Sequence, residues 1–437
     1  MKIKFSLTLS AFMILINGAF SQNVPIITAQ NVAKNFYFER AVNHNPTLRY
    51  ANINLTNILT KTRGSNNIYY VFNVDSGRGW IVTAAQQNVV PILAFSTEGN
   101  FDTVKANQPP AFKYWMKNYE SQINYAIDNN IQADSAISNK WTYLNSNSAI
   151  NTPKQIQSVG PLLQTTWAQN CYYNAMCPVD NTTSCTGGGI PSPCGHVWVG
   201  CVAEAMGQVM KYWNYPETGT GSHIDATSYG NLYANFGTTI YAWPNMPNNV
   251  TSANTDVAIL LYHCGIAADM NYGPCASGSN TLNAKNALLW YFRYDLNAFY
   301  SNKDDDGYSD ASWANLITNN LNNSFPVIMG GQDISAGDGH EWVCDGYSSA
   351  NYFHMNWGWG WSGGGNYCYI SAIIPTSTPP QPNYTSSQDA IFNLAPSCGT
   401  TLNTANTTGP YGDRCVIYLE PGFTTQPGST FHAKIVP

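Results

Sequence analysis

Charge is what this chain has least of: only 10% of its 437 residues are Asp, Glu, Lys or Arg, and the net charge is −6. With no basic patch to neutralise phosphates, a nucleic-acid partner is excluded. Past the N-terminal stretch, no run approaches the roughly 18 uninterrupted apolar residues that a membrane-crossing helix needs. The mature protein is therefore expected to have no membrane span and to be kept soluble by its many Asn, Ser, Thr and Tyr side chains. No CxxC pair with a matching His pair is present, which argues against structural zinc. His340-Glu341 opens an H-E-x-x pattern, but the fifth position is Cys344, so the two-histidine zinc site is missing. In 302-NKDDDGYSDASW-313, oxygen-bearing residues occupy the first, third and fifth positions and Gly307 the sixth. Trp313 then stands where calcium needs a bidentate glutamate. An acidic solvated turn is expected there, and no cofactor or metal anywhere.

The start, MKIKFSLTLSAFMILINGAFSQ, has two early lysines, a short apolar run and the small-residue site Ala19-Phe20-Ser21. That is the layout of a secretory signal peptide over residues 1–21. Eleven cysteines fit an oxidising compartment. Cys171, Cys177, Cys185 and Cys194 lie close together; Cys264 and Cys275 flank a loop; Cys344 and Cys368 flank a strand-rich stretch; Cys398 and Cys415 sit in the tail. Pairing within these groups leaves Cys201 over.

Cys201 stands in 194-CGHVWVGCVAEAMGQVMKYW-213, directly after a glycine and before a helical pattern. Ala205, Met206, Val209, Met210 and Trp213 trace one helix face. A helix start places free N–H groups and the positive dipole end beside the sulfur, which favours thiolate over thiol. A thiolate nucleophile then needs a base. Of seven histidines, His44 precedes the expected enzyme, His432 is in the tail, His223 lies in a polar loop and His263 reads as a core residue. His196 is close to Cys201 but sits in a Gly-rich approach that it is expected to shape. His340, in 337-GDGHEWVCDGY-347, follows a Gly-rich loop and opens an apolar run, so it should project from a strand end toward a cleft. His354, in 352-YFHMNWGWGW-361, alternates along a strand and reads as structural. Asn356 is a candidate orienting amide, and Gln169 a side-chain donor for an oxyanion hole. Gly360-Trp361-Ser362-Gly363-Gly364 satisfies the G-x-S-x-G elbow of serine hydrolases, but a strand-like NYCYISAI follows instead of the required helix.

His340 lies 139 residues (340 − 201) after Cys201, inside the roughly 130–150 of papain-like enzymes. Together GCVAEAMGQVMKYWNYP, GHEWVCDGY and FHMNWGWG resemble the streptopain family of cysteine peptidases, secreted papain-like enzymes made as zymogens. The likeness extends to SWANLITNNLNNSFPVIMGG and QDAIFNLAP, so it covers residues 155 to 397 almost continuously. It implies Cys201 as nucleophile, His340 as general base and acid, Gln169 in the oxyanion hole, and Asn356 and Trp357 as supports of the histidine. Trp361 stands where the family usually has glycine, and Glu204 where it usually has a small residue.

The segment before the enzyme, with NVAKNFYFERAV and YYVFNVDSGRGWIVTAAQQNVV, resembles the family's propeptide. It is expected to be a small α+β domain that acts as an intramolecular inhibitor, occluding the cleft and displacing the histidine. Maturation is expected near Lys154-Gln155 in a polar linker. The tail resembles short β modules of secreted proteins from Bacteroidetes-type bacteria, with a surface-retention or structural role. The expected layout is thus signal peptide 1–21, pro-domain 22–154, a papain-like two-lobe α+β catalytic domain 155–397 and a C-terminal β module 398–437. The expected activity is endopeptidase cleavage of proteins or peptides outside the cell or at its surface. A catalytically inactive secreted binding protein and a Cys-His cell-wall amidase are the alternatives.

Overall fold

The computed structural model describes residues 23–397 except 105–107, 109, 148–149, 151–156, 186–189, 334–337, 350, 361–364 and 376–387, and beyond 397 only four three-residue strands. The signal-peptide stretch, Lys154-Gln155, Trp361, most of the G-x-S-x-G segment, Cys398 and Cys415 lie outside the described residues.

The N-terminal part begins with helix α1 (Ile26–His44) and a hairpin of β1 (Leu55–Arg63) and β2 (Asn66–Val74). Strands β3 (Trp80–Ala84) and β4 (Ile92–Ser96) are buried at every residue, because both of their faces are covered. On one side Phe36 of α1 meets Phe95 of β4, ring centroids 5.0 Å apart. On the other, Trp80 of β3 meets Phe112 of helix α2 (Pro110–Asp128) at 5.9 Å. Helix α3 (Ser135–Leu144) is capped by Asp134, whose side chain accepts from Ile137 N.

The remainder places helices α4 (Cys201–Trp213), α5 (Thr255–Ala267) and α6 (Thr281–Trp290) together, with a separate hairpin of β6 (Ser222–Thr227) and β7 (Gly230–Asn235). Strands β8 (Phe299–Asn302), β9 (Val327–Asp333), β10 (Asp338–Ser348), β11 (Tyr352–Asn356), β12 (Asn366–Tyr369) and β13 (Asp389–Phe392) form an antiparallel sheet, and helix α7 (Asp310–Asn322) contacts β9 and β10. The two-residue strand β5 (Ser158–Val159) pairs with the end of β10.

The sheet does not stop at the catalytic part. Its order is β1-β2-β3-β4-β12-β11-β10-β9-β13-β8, so the N-terminal and catalytic strands share one sheet joined between β4 and β12. Tyr367 pairs with Phe95 and Cys368 with Ala94, and the Tyr367 and Phe95 rings stack at 4.7 Å. Alternation along β10 sorts its side chains between two cores. Val343 joins the cluster around α4 and α5, whereas Trp342 and Cys344 join a cluster that continues into α1, α2 and β3. The α+β class and the helix-versus-sheet division of the catalytic part are as expected.

Among the described residues three cysteine pairings differ from the expectation, and only Cys171–Cys194 falls within its group. The disulfides are Cys171–Cys194 and Cys185–Cys275, while Cys177, Cys264, Cys344 and Cys368 are buried thiols. Strand order explains one miss: β11 lies between Cys344 and Cys368, and two strand spacings of about 4.8 Å each exceed the reach of a disulfide. Cys264 faces inward from α5, its sulfur 3.6 Å from Met210 Sδ. The acidic turn folds on itself: Asn302 Oδ1 accepts from the N–H groups of Asp304 and Asp305, and Asp306 from Ser301 and Asn302. Among the described residues no His, Cys, Asp and Glu cluster suits a metal, and no helix is long and apolar enough to cross a membrane.

Candidate active site

Gly200 delivers the chain to Cys201. Its φ of 91° suits glycine, and a Cβ there would fall 2.6 Å from Met270 Sδ. Cys201 is then the first residue of the 13-residue α4 and half-buried, while Val202 to Met210 are all buried. The anticipated apolar face is therefore only part of a helix enclosed on nearly every side. The thiol sits where the unpaired N–H groups and helix dipole favour its anionic form.

His340 lies near the start of β10, opposite Gly331 of β9. Its Nε2 is 3.0 Å from the carbonyl oxygen of Trp357, and its ring stacks on Trp342 at 6.4 Å. A carbonyl only accepts, so this contact holds the proton of the neutral imidazole on Nε2 and makes Nδ1 the basic nitrogen. Trp357 is buried, donates from Nε1 to Asn366 Oδ1 at 2.7 Å, and packs on Trp342 at 5.4 Å.

Asn356 bonds to α4 and to two loop segments. Its amide donates to Thr165 O at 2.9 Å and to Gln208 Oε1 at 3.0 Å, and its oxygen accepts from Gln208 Nε2 and Gly358 N. It thus ties the Trp357–Gly358 turn to α4, and the turn's carbonyl meets His340. Gln208 was not anticipated. Its signal was available, since it stands seven residues after Cys201 on the same helix face.

Gln169 is buried beside these groups. Its Nε2 donates to Gly358 O at 3.4 Å, and its backbone carbonyl accepts from Val199 N at 3.1 Å, two residues before Cys201. Gly360 N donates to Trp167 O, and Trp198 stacks on Trp359 at 5.7 Å. Three loops therefore converge: 167–169, 198–200 and 357–360. Two buried carboxyls border the site. Glu341 follows His340, accepts from Thr281 Oγ1, and is held well above the usual carboxylate range by burial, Asp389 and Cys201. Glu204, in the first turn of α4, is likewise raised by burial and by Cys201.

The other histidines are occupied elsewhere. His354 is buried with Nδ1 2.6 Å from Asp345 Oδ1, and Asp345 Oδ2 accepts from Leu163 N. His196 meets the carbonyl of Cys177 and shapes its loop, as expected. His263 meets Tyr241, and burial lowers its pKa to about 4; His223 pairs with Asp269 at the surface.

A thiol at a helix start and a sheet-borne imidazole with a fixed tautomer are the two groups that a papain-like cysteine peptidase needs. Comparison with known proteins agrees. Residues 167–367 match the Peptidase C10 family, and residues 21–123 match the Spi protease inhibitor family. The chain is 28% identical over 328 residues to streptopain of Streptococcus pyogenes, covering 72% of this chain and 76% of that one. It is 26% identical over 391 residues to the thiol protease/hemagglutinin PrtT of Porphyromonas gingivalis, covering 84% of this chain but only 41% of that protein. Prointerpain A of Prevotella intermedia is similar in structure, with TM-score 0.58 and 28% identity over 78% of this chain and 98% of that one. The chain belongs to the Peptidase C10 family and is the zymogen of a cysteine-type peptidase, its inhibitor-like segment preceding the enzyme.

Proposed function

We propose that Cys201 attacks the carbonyl carbon of a substrate peptide bond as a thiolate, with His340 as the proton carrier. The observation that carries this reading is the 3.0 Å contact of His340 Nε2 with the Trp357 carbonyl, together with a cysteine at the start of α4. In the first half-reaction the S–C bond forms and the carbonyl oxygen becomes an oxyanion, which the N–H of Cys201 and the Gln169 amide receive. The C–N bond then breaks as His340 gives its proton to the leaving amine. Water, deprotonated by His340, hydrolyses the thioester and returns the thiol. Asn356 and Trp357 act by holding the turn that holds His340. For Gln169 to serve the oxyanion it must exchange its long bond to Gly358 O for one to substrate.

The proposed layout is a signal peptide at 1–21, a pro-domain at 22–154 cut near Lys154, a catalytic domain at 155–397 and a β module at 398–437, with secretion to the exterior or cell surface. Substrates are proteins or peptides. Inhibition by the pro-domain is supported from behind the site: Trp115 of α2 packs on Trp342 at 6.1 Å and on Trp357 at 5.8 Å, the two residues whose ring and backbone carbonyl His340 touches.

Intact mass of the purified chain over time, with an epoxide thiol inhibitor and with Cys201→Ser, tests the reading. Wild type should lose the segment ending near Lys154 and then take up inhibitor at Cys201. The Cys201→Ser chain should stay full length, with activity on casein down at least about a thousandfold. Wild type that neither binds inhibitor nor cleaves casein after trypsin removes the segment would favour the binding-protein alternative.

A further inference from the structure

Glu204 stands where the family usually has a small residue, and it is fully buried one helical turn from the nucleophile. Among the described residues both of its carboxyl oxygens lack a hydrogen-bond partner, and it forms no ion pair. The group lies against Gly358: a Cβ built there would come within 1.9 Å of Glu204 Oε2. Gly358 is the wiring point of the site. Its N–H binds Asn356, its carbonyl binds Gln169, and the carbonyl before it holds His340.

An unpaired buried carboxylate is strongly disfavoured, whereas the un-ionised acid is tolerated. From these contacts we infer that Glu204 is a positioning residue that works as a neutral acid beneath the Gly358 turn, and that its loss of a proton shuts the peptidase at alkaline pH. Ionisation would set a second negative charge beside the Cys201 thiolate and force the carboxylate toward new donors, dragging the turn with it.

The surrounding groups offer no compensation. Cys201 is the titratable neighbour on α4, and Tyr173, from the loop after Gln169, is itself pushed up to about 12 by burial and by Glu204. From β10 come His340 and Glu341, the latter also buried and raised. Among the groups of the packed helices α5 and α6, His263, Cys264 and Lys285 make no hydrogen bond or ion pair with it. Burial is the first cause holding Glu204 above the ordinary carboxylate range, and Cys201 the second.

The sign is fixed by linkage. A carboxyl raised on folding binds more protons folded than unfolded, so its destabilising effect is absent below the unfolded value of about 4.3 and grows as pH rises toward the folded one.

The inference rests on Cys201 being the nucleophile, so two readouts are needed. In the full chain carrying Cys201→Ala, adding Glu204→Gln should leave Tm unchanged near pH 4 and raise it progressively toward pH 9. In the processed wild-type background, Glu204→Gln should raise the ratio of kcat/KM at pH 9 to that at pH 6 by about tenfold or more, one pKa unit of displacement. Glu204→Ala, equally unable to ionise, should shift the same ratio and covers poor folding of the glutamine variant. A Tm difference independent of pH, or an alkaline limb unmoved in a folded variant, overturns the inference. A protein that cleaves nothing at any pH would sink the peptidase reading instead, while the unfolding series still decides the state of Glu204.

Discussion

Trp342 and Val343 are neighbours on β10, yet they belong to different hydrophobic cores. Val343 packs in the cluster built by α4, α5 and α6, made entirely from residues after Leu162. Trp342 packs in a cluster that mixes catalytic residues with α1, α2 and β3 of the N-terminal segment. The core beneath α4 is self-sufficient, and the core behind His340 is borrowed. In a zymogen arranged this way the N-terminal segment packs behind His340 and leaves the core under α4 alone.

The strongest way to break that contrast is Trp115→Ala. Emptying this site in the shared core should cost the zymogen about 3–5 kcal/mol, read as a lower denaturant midpoint, and should let the uncleaved chain turn over substrate. A variant as stable and as latent as wild type would mean that Trp115 does not couple the segment to His340. A smaller effect is expected from Tyr119→Phe. The Tyr119 hydroxyl accepts from Trp115 Nε1 at 2.7 Å and donates to Tyr369 O at 2.6 Å. Its loss leaves both groups buried and unpaired, worth about 1–3 kcal/mol in the same unfolding measurement. The self-sufficient core is probed by Gly207→Ala, whose Cβ would meet Leu261 Cδ2 at 2.4 Å. Overpacking of about 1–3 kcal/mol is expected, lowered if Leu261 changes rotamer, and it should appear equally in zymogen and processed enzyme. A loss confined to the zymogen would show that this core also depends on the N-terminal segment.

Much of the site was legible because its signals are local. A glycine, a cysteine and a 3.6-residue apolar period mark the start of α4, and a Gly-rich approach to an apolar run marks His340. Glu204 was visible as an unusual residue, but its burial was not, since burial depends on the Gly358 turn arriving from 154 residues away (358 − 204). The partners of Asn356 were not legible: its amide bonds to Gln208 on α4 and to Thr165, residues that lie far from it in the chain. Cysteine pairing failed for the same reason. Neighbours in the chain, Cys344 and Cys368, are separated in the sheet by a whole strand. The Trp115 contact left no local trace, because one tryptophan in an amphipathic helix names no partner.

The seam between β4 and β12 carries one more consequence. Its ladder is made of main-chain hydrogen bonds, which read an extended backbone, with the Tyr367–Phe95 stack laid over them. Whatever strips away the N-terminal strands leaves β12 as a raw margin, with the backbone of Tyr367 and Cys368 seeking a substitute and the rings of Tyr352 and Tyr367 newly wet. Such margins template the addition of any passing strand. The cut that releases catalytic power therefore also makes the molecule adhesive, and the departing segment serves as its sheath as well as its brake.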